Sequence, residues 1–584
     1  IAIYLQSSSC NNITYNTAFN ITGGTGGGAE YMADCGASGV GVGIYLHSSS
    51  SNNISLNSGT NINGGGGGSG YSATKGGIGA EIYLFSSYYN NIFQNLASYI
   101  SGGTGGFGYT GDSGGSGAGI HLSSSNTNII LLNDVSNIKG GSGGDSQHMG
   151  APGAAGGNAT CIYLNSSTNN NIILNNVSSI IGGTGGKSGL PYDGFEDRDY
   201  DSPGGAASGI YLYSSSLNNI NLNNVTDITG GTGEHPVGTG GTAAGIYLYS
   251  SSFNNITNNT AFVINGGTVV TTGSGGDGAG IYLRSSFANN LMYNIIYNIN
   301  GGAGYTDGPS GLGRGIYFII SSNNSMACCN IKHNDYGIFV IDISNNNQVF
   351  HNNFINNTNQ SFDECNNTWD DGYPSGGNFW SDYTGDDLYN GPNQDIPGSD
   401  AIGDTPYNIS GGSNQDLYPL MYPFEMYYIL NISAPPEVNE GELFNALVTS
   451  IGCPAVPNAT VEFNDELKLT DIDGRAYFTA PQVGEDTTYD IIANKEGYTG
   501  DTKTILVKDV PVEFVSTFIF GRIDNLTTGG DVITFEAVNI RCITFFPFTF
   551  NAYTSGEKIT ISKDYIGFVG ARFIFALCDA YIGG

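Results

Sequence analysis

The feature that most constrains this chain is a tandem repeat with a fixed core and inserts of variable length. Eight triplets anchor it, at Ile3, Ile44, Ile82, Ile120, Ile162, Ile210, Ile246 and Ile281, all I-Y-L except for I-H-L at Ile120. Counted from the anchor, every repeat carries Leu at +2, Ser at +4 and +5, Asn at +8, Ile or Leu at +10, Asn at +13, Ile at +18 and Gly-Gly at +20 and +21. The anchors are 35 to 48 residues apart, and all of that variation falls after the fixed register. A rigid register followed by elastic loops is the mark of a solenoid, whose turns stack on one another.

The anchor Ile and the Leu at +2 flank the tyrosine at +1, which is strand periodicity with the aliphatics on one face and the ring on the other. Two more short strands fall around +10 and +18. Three strands per repeat, with polar corners between them, describe a parallel β-helix. A β-sandwich of repeated hairpins is the competing architecture, and the unvarying Asn positions speak against it. About four aliphatic side chains per coil, each worth roughly 1.5–3 kcal/mol when buried, make the interior stack the main stabilising contribution. The recurrent Asn and Ser are expected at the corners, where Asn tolerates the left-handed conformation, and in hydrogen-bonded ladders between coils. Residues that recur eight times do not read as catalytic.

The inserts begin with the double glycine, often as G-G-T-G-G, and contribute to 91 glycines in 584 residues. Ordering so much glycine is entropically costly. The inserts are therefore expected either as disordered bristles or packed against each other or a neighbouring molecule. After Ile281 they shrink. Ile316 and Ile338 lie 22 residues apart, which is the length of one bare coil.

The net charge of −33, with 17 basic and 50 acidic residues, argues against nucleic acid or an anionic membrane as partner and favours multivalent cations. No apolar run is long enough to span a membrane. The nine cysteines allow disulfides in an exported protein and leave one thiol over, with Cys542 and Cys578 a candidate pair. Sequons are dense: Asn12, Asn20, Asn53, Asn176, Asn224, Asn255, Asn366, Asn408, Asn431 and Asn525 are candidates for glycosylation, again pointing outside the cell.

Both tryptophans, Trp369 and Trp380, sit in N-T-W-D-D-G-Y-P-S-G-G-N-F-W-S-D-Y-T-G (367–385), and the chain then runs to A-I-G-D-T-P-Y-N-I (401–409). With the repeats, this segment resembles the NosD-like β-helix proteins abundant on archaeal, especially methanogen, cell surfaces. The resemblance covers roughly 1–424. It implies a right-handed parallel β-helix that this segment ends, and the long glycine-rich inserts depart from it. The family name implies copper handling, but the six histidines (His47, His121, His148, His235, His333, His351) are scattered, whereas copper wants them clustered. A calcium site is the more credible expectation, at Asp382, Asp386, Asp387, Asp395, Asp400 and Asp404 in a Gly/Asn-rich loop. A second acidic cluster lies at Asp193, Glu196, Asp197, Asp199 and Asp201.

The expected fold is thus all-β: a β-helix over 1–360, its Trp/Asp-rich end over 361–424, an Ig-like β-sandwich over 425–508 and a small β module over 509–584. Strands are expected at 459–463 and 489–493, with D-I-D-G-R-A-Y-F (471–478) as a hairpin. No clustered basic residues or paired carboxylates suggest catalysis. The expectation is a non-enzymatic extracellular structural protein that assembles with copies of itself into a layer, sheath or filament. The alternative is a glycan-binding adhesin or, behind it, a polysaccharide-degrading enzyme. The uncapped coil that opens at Ile1 predicts head-to-tail contact, since free strand edges template pairing.

Overall fold

The computed structural model is all-β. It describes residues 1–148, 151, 153–188, 202–234, 238–270, 272–305, 308–424, 428–450, 455–471, 473–495 and 498–510, and beyond these the backbone of strands between Phe514 and Leu577. Two compact units result, Ile1–Met426 and Tyr427–Gly584. No helix among the described residues is long and apolar enough to cross a membrane.

The first unit is a parallel β-helix with three long sheets of 11, 10 and 11 strands. The triplets lie in the first sheet, in strands such as Gly117–Ser123 and Ala159–Asn165. Three-residue strands such as Asn171–Ile173 form the second, and six-residue strands such as Asn176–Ile181 the third. The register is the one the repeat dictates. Ile120 pairs with Ile82 and Ile162, Ile130 with Ile92 and Ile172, and Ile138 with Ile100 and Ile180. Ile316 lies beside Ile338, so the 22-residue coil is a complete turn without an insert.

Ile120, Leu122, Ile130 and Ile138 are all fully buried, as expected of the four aliphatic positions. A fifth inward position, +15, escapes the sequence reading because it varies: Ala18, Gly59, Ala97, Val135, Val177, Val225, Ala261 and Ile296 occupy it. The corners also differ from expectation. In the sixth coil the left-handed residues are Ser214, Leu217, Leu222 and Asp227, with φ of 48°, 61°, 57° and 56°. The recurrent Asn218 and Asn223 each follow a left-handed residue rather than being one. The turn before each Asn aims its amide inward, where it is buried.

Those amides form two continuous ladders. The Asn128 backbone N–H and side-chain amide both donate to Oδ1 of Asn170, at 2.8 and 3.1 Å. The same amide also reaches the carbonyls of Ser87 and Asn126, each at 3.1 Å. The side chain of each such Asn is thereby satisfied inside the tube, which is what permits its burial. The serine at +5 builds a third ladder, with the N–H of Ser125 donating to Oγ of Ser167 at 3.0 Å. Cys329 takes the place of an Asn in one ladder, its N–H still donating to Asn352 Oδ1 at 3.0 Å.

Rungs continue through Asn359–Asp363 and Phe379–Trp380, inside the stretch expected to end the solenoid. The second unit begins with two sheets. One contains Tyr428–Ser433, Leu443–Ser450, Arg475–Thr479 and Tyr498–Thr499. The other contains Glu437–Asn439, Thr460–Phe463, Glu466–Leu469, Thr487–Asn494 and Asp501–Lys508. Phe444 and Phe478 of the first sheet pack on Phe463 of the second, at ring separations of 5.0 and 5.6 Å. The expected strands at 459–463 and 489–493 are present. The D-I-D-G turn does not close a hairpin. Glu466–Leu469 before it pairs with Thr460–Phe463, and Arg475–Thr479 after it pairs with Leu443–Ser450, so the turn carries the chain between sheets.

Candidate functional site: glycine wall, aromatic column and insert-tip cleft

The glycine-rich inserts pack against each other. Each leaves its coil, folds back, and interleaves its two limbs with those of its neighbours. Gly39 N–H donates to Gly24 O at 2.7 Å, Gly65 to Gly39 at 2.9 Å, Gly77 to Gly65 at 2.7 Å and Gly103 to Gly77 at 2.9 Å. The same alternation runs on to Gly311, which donates to Gly302 at 2.9 Å. Other amides bond the same limb one coil on, as Gly105 does to Ser142 O at 2.8 Å. The result is a wall fused to the solenoid. Glycine is required here by close approach and not by φ: of the described insert glycines only Gly273 has a positive φ, whereas a Cβ on Gly103 would collide with the Gly65 carbonyl.

The tyrosines at +1 stack into a column along the first sheet. Ring centroids are 5.0 Å apart at Tyr45–Tyr83, 4.4 Å at Tyr83–His121, 4.7 Å at His121–Tyr163 and 4.8 Å at Tyr211–Tyr247. Most are half-buried, and Ile78 from an insert packs with Tyr45 and Tyr83 against Val42, Ala80 and Ala118. The inserts thus cover the column in part. Burial and the neighbouring phenols push the Tyr163 hydroxyl up to about 12, and burial pushes His121 down to about 4. Arg314 ends the tyrosines, its guanidinium 4.4 Å from the Tyr317 ring centre and 2.7 Å from Asp277.

One buried acid stands apart. Glu81 occupies a position that is Gly43 and Gly119 in the adjacent coils and points into the apolar tube. Neither carboxyl oxygen has a hydrogen-bond partner, and burial pushes the group up to about 8. Gly43 and Gly59 make the room, since a Cβ on either would strike the carboxyl group.

At the solenoid's end two tryptophans meet two buried aspartates. Trp369 Nε1 donates to Asp363 Oδ2 at 3.0 Å and Trp380 Nε1 to Asp416 Oδ2 at 2.8 Å. The expected calcium ligands lie beside this cap, and four of them accept hydrogen bonds from its loops. Asp387 accepts from Ser399 Oγ and the N–H groups of Asp400 and Ala401 at 2.7–3.0 Å. Asp404 accepts from the N–H groups of Leu388 and Tyr389, Asp400 from Ile402 N–H and Gln394, and Asp382 from Tyr407 Oη. Asp386 and Asp395 are exposed. Among the described residues no three His, Cys, Asp or Glu side chains converge on a point that could hold a metal.

His47 lies by the tyrosine column, His121 inside it, and His351 stacks on Phe424 at 4.4 Å. Cys10, Cys35, Cys161, Cys328, Cys329 and Cys365 are unpaired. Among the described residues the histidines and cysteines are thus not gathered as copper ligands would be. His235, Cys453, the cluster from Asp193 to Asp201, and the candidate pair Cys542 and Cys578 lie outside the described residues. Of the sequon residues, Asn12, Asn20, Asn176, Asn224, Asn366, Asn408 and Asn431 are exposed, whereas Asn53 and Asn255 are half-buried in side-chain ladders of the second sheet. Asn525 is placed only as backbone, in Arg522–Gly529.

The insert tips hold an open cleft of about 600 Å³, lined in part by Ser69, Tyr71, Phe107, Tyr109, Gln147 and His148. No sequence signal marked it, because its residues come from four successive inserts that are far apart in the chain.

These features define the class: a parallel β-helix, walled by glycine and closed by a Trp/Asp cap. Residues 241–385 match the family described as periplasmic copper-binding protein (NosD), a stretch that includes the bare coils and both tryptophans. No curated protein sequence matches the chain.

Proposed function

We propose that this is a non-enzymatic structural protein of the cell exterior, of the kind that builds archaeal surface layers, whose solenoids pack side by side into a layer, sheath or filament. One observation carries the reading. At a single corner of the coil Tyr89, Leu217 and Phe253 are 68%, 56% and 62% exposed, and all three are left-handed, with φ of 57°, 61° and 58°. A large apolar residue gains nothing from water there and costs about 1–2 kcal/mol in backbone strain, where Asn or Gly would cost less. Contact with another copy supplies a reason for both. Sequons on the exposed surface and the periplasmic description of the matched family favour a location outside the cytoplasm. The second unit's two-sheet arrangement supports an Ig-like module. Calcium is not required by this reading, since the cap is closed by its own hydrogen bonds.

Electron microscopy and sedimentation of the whole chain test it. Ordered polymers are expected, and Leu217→Asn with Phe253→Asn should shift the protein to monomers without lowering its melting temperature. A wild-type chain that stays monomeric at high concentration contradicts the proposal.

A further inference from the structure

The insert tips form a small parallel sheet of Ala29–Asp34, Gly70–Ser72 and Gly108–Thr110, which Ser146 extends by a bridge to Gly108. The cleft lies on this platform. Tyr71, Tyr109 and His148 come from successive coils and lie ring beside ring, 5.0 and 4.0 Å apart and tilted by 37° and 40°. We propose that this cleft binds a neutral saccharide chain lying along the coils, a property independent of the proposed assembly.

Three features select that ligand. Tyr71, Phe107 and Tyr109 are 46%, 43% and 39% exposed on inserts made largely of small residues, and contiguous exposed aromatics mark contact sites. Beside them Gln147 and His148 offer exposed donors and acceptors. Ser69 Oγ accepts from Phe107 N–H at 3.2 Å and keeps its own proton to donate. A sugar ring presents both counterparts, apolar C–H faces and hydroxyl edges. The third feature is charge. The chain's net charge is −33, yet no residue lining the cleft is Asp, Glu, Lys or Arg. An anionic sugar finds no counter-charge and a repelling field, whereas a neutral one pays neither cost. The repetition of one ring per coil suits a polymer of repeating units. The rings are also held in advance: Ser146 Oγ donates to Tyr109 O at 2.8 Å and Gln147 N–H to Gly108 O at 2.7 Å.

Calorimetric titration of the whole chain with hexamers of β-1,4-glucose, β-1,4-N-acetylglucosamine and galacturonic acid tests the proposal. At least one neutral hexamer should bind and the acidic hexamer should not. Tyr71→Ala and Tyr109→Ala should each weaken binding at least tenfold at an unchanged melting temperature, while Phe253→Asn leaves it unaltered. Saturation-transfer NMR on the wild-type chain provides a readout independent of the variants, with transfer expected to the ring C–H protons of the bound sugar. No binding of either neutral hexamer, equal binding of the acidic one, or affinity that survives Tyr71→Ala and Tyr109→Ala overturns the proposal.

Discussion

Trp380 donates its indole N–H to Oδ2 of Asp416 at 2.8 Å, and that carboxylate also accepts the N–H groups of Asn378 at 2.7 Å and Tyr418 at 3.1 Å. One buried acid thereby ties the last rung of the third sheet to a strand 36 residues further on. Removing it strands three donors, each costing about 1–3 kcal/mol when buried. Asp416→Ala is expected to lower stability by about 3 kcal/mol and Asp416→Asn by less, since the amide oxygen still accepts. The chain's two tryptophans both lie in this cap, so thermal unfolding followed by their fluorescence reads the loss directly.

The glycine wall carries its own control. A Cβ on Gly141 would strike the Gly103 carbonyl, whereas one on Gly24 would meet nothing within 4 Å. Gly141→Ala is expected to destabilise by about 1–3 kcal/mol, as overpacking does. Gly24→Ala should be neutral or slightly stabilising, because it restricts the unfolded chain. Melting temperatures of the two variants check this, and equal effects would deny the interleaving.

Glu81 sets a pH dependence. Burial raises its folded pKa to about 8 from an ordinary value of 4.5. The folded chain then holds a proton that the unfolded chain has released. Stability from this group is full below about pH 4.5 and falls by roughly 1.4 kcal/mol per unit as pH rises towards 8. Glu81→Gln should flatten that slope in a melting series from pH 5 to 9, with the largest gain over wild type at the alkaline end.

The solenoid was legible because its information lies in side chains that repeat in register, such as Ile120 and Leu122 pairing with Ile162 and Leu164. The unvarying Ser at +4 does sit left-handed at a corner, as Ser124 and Ser214 do, but the Asn was misplaced there because the left-handed residues before it vary, as Thr127, Leu217 and Phe253 do, while the Asn itself drew attention. The wall was half legible. Composition showed that glycine mattered, but a residue without a side chain leaves no trace of its partner, and the pairing of Gly103 with both Gly77 and Gly115 is a backbone fact. Asp363 and Asp416 were passed over for the less buried aspartates between them, because burial cannot be read from a local acidic pattern. The cleft was invisible for a related reason, since Tyr71, Tyr109 and His148 are brought together only by the wall beneath them.

The central claim is that the inserts are a hydrogen-bonded wall, and amide hydrogen exchange resolved to peptides tests it most directly. Peptides covering 102–106 and 140–144 should exchange on the slow timescale of the adjacent rungs 96–101 and 134–139, because their N–H groups are held between limbs on both sides. Complete exchange of those glycines at the earliest time point, with the rungs still protected, would show free bristles and contradict the account.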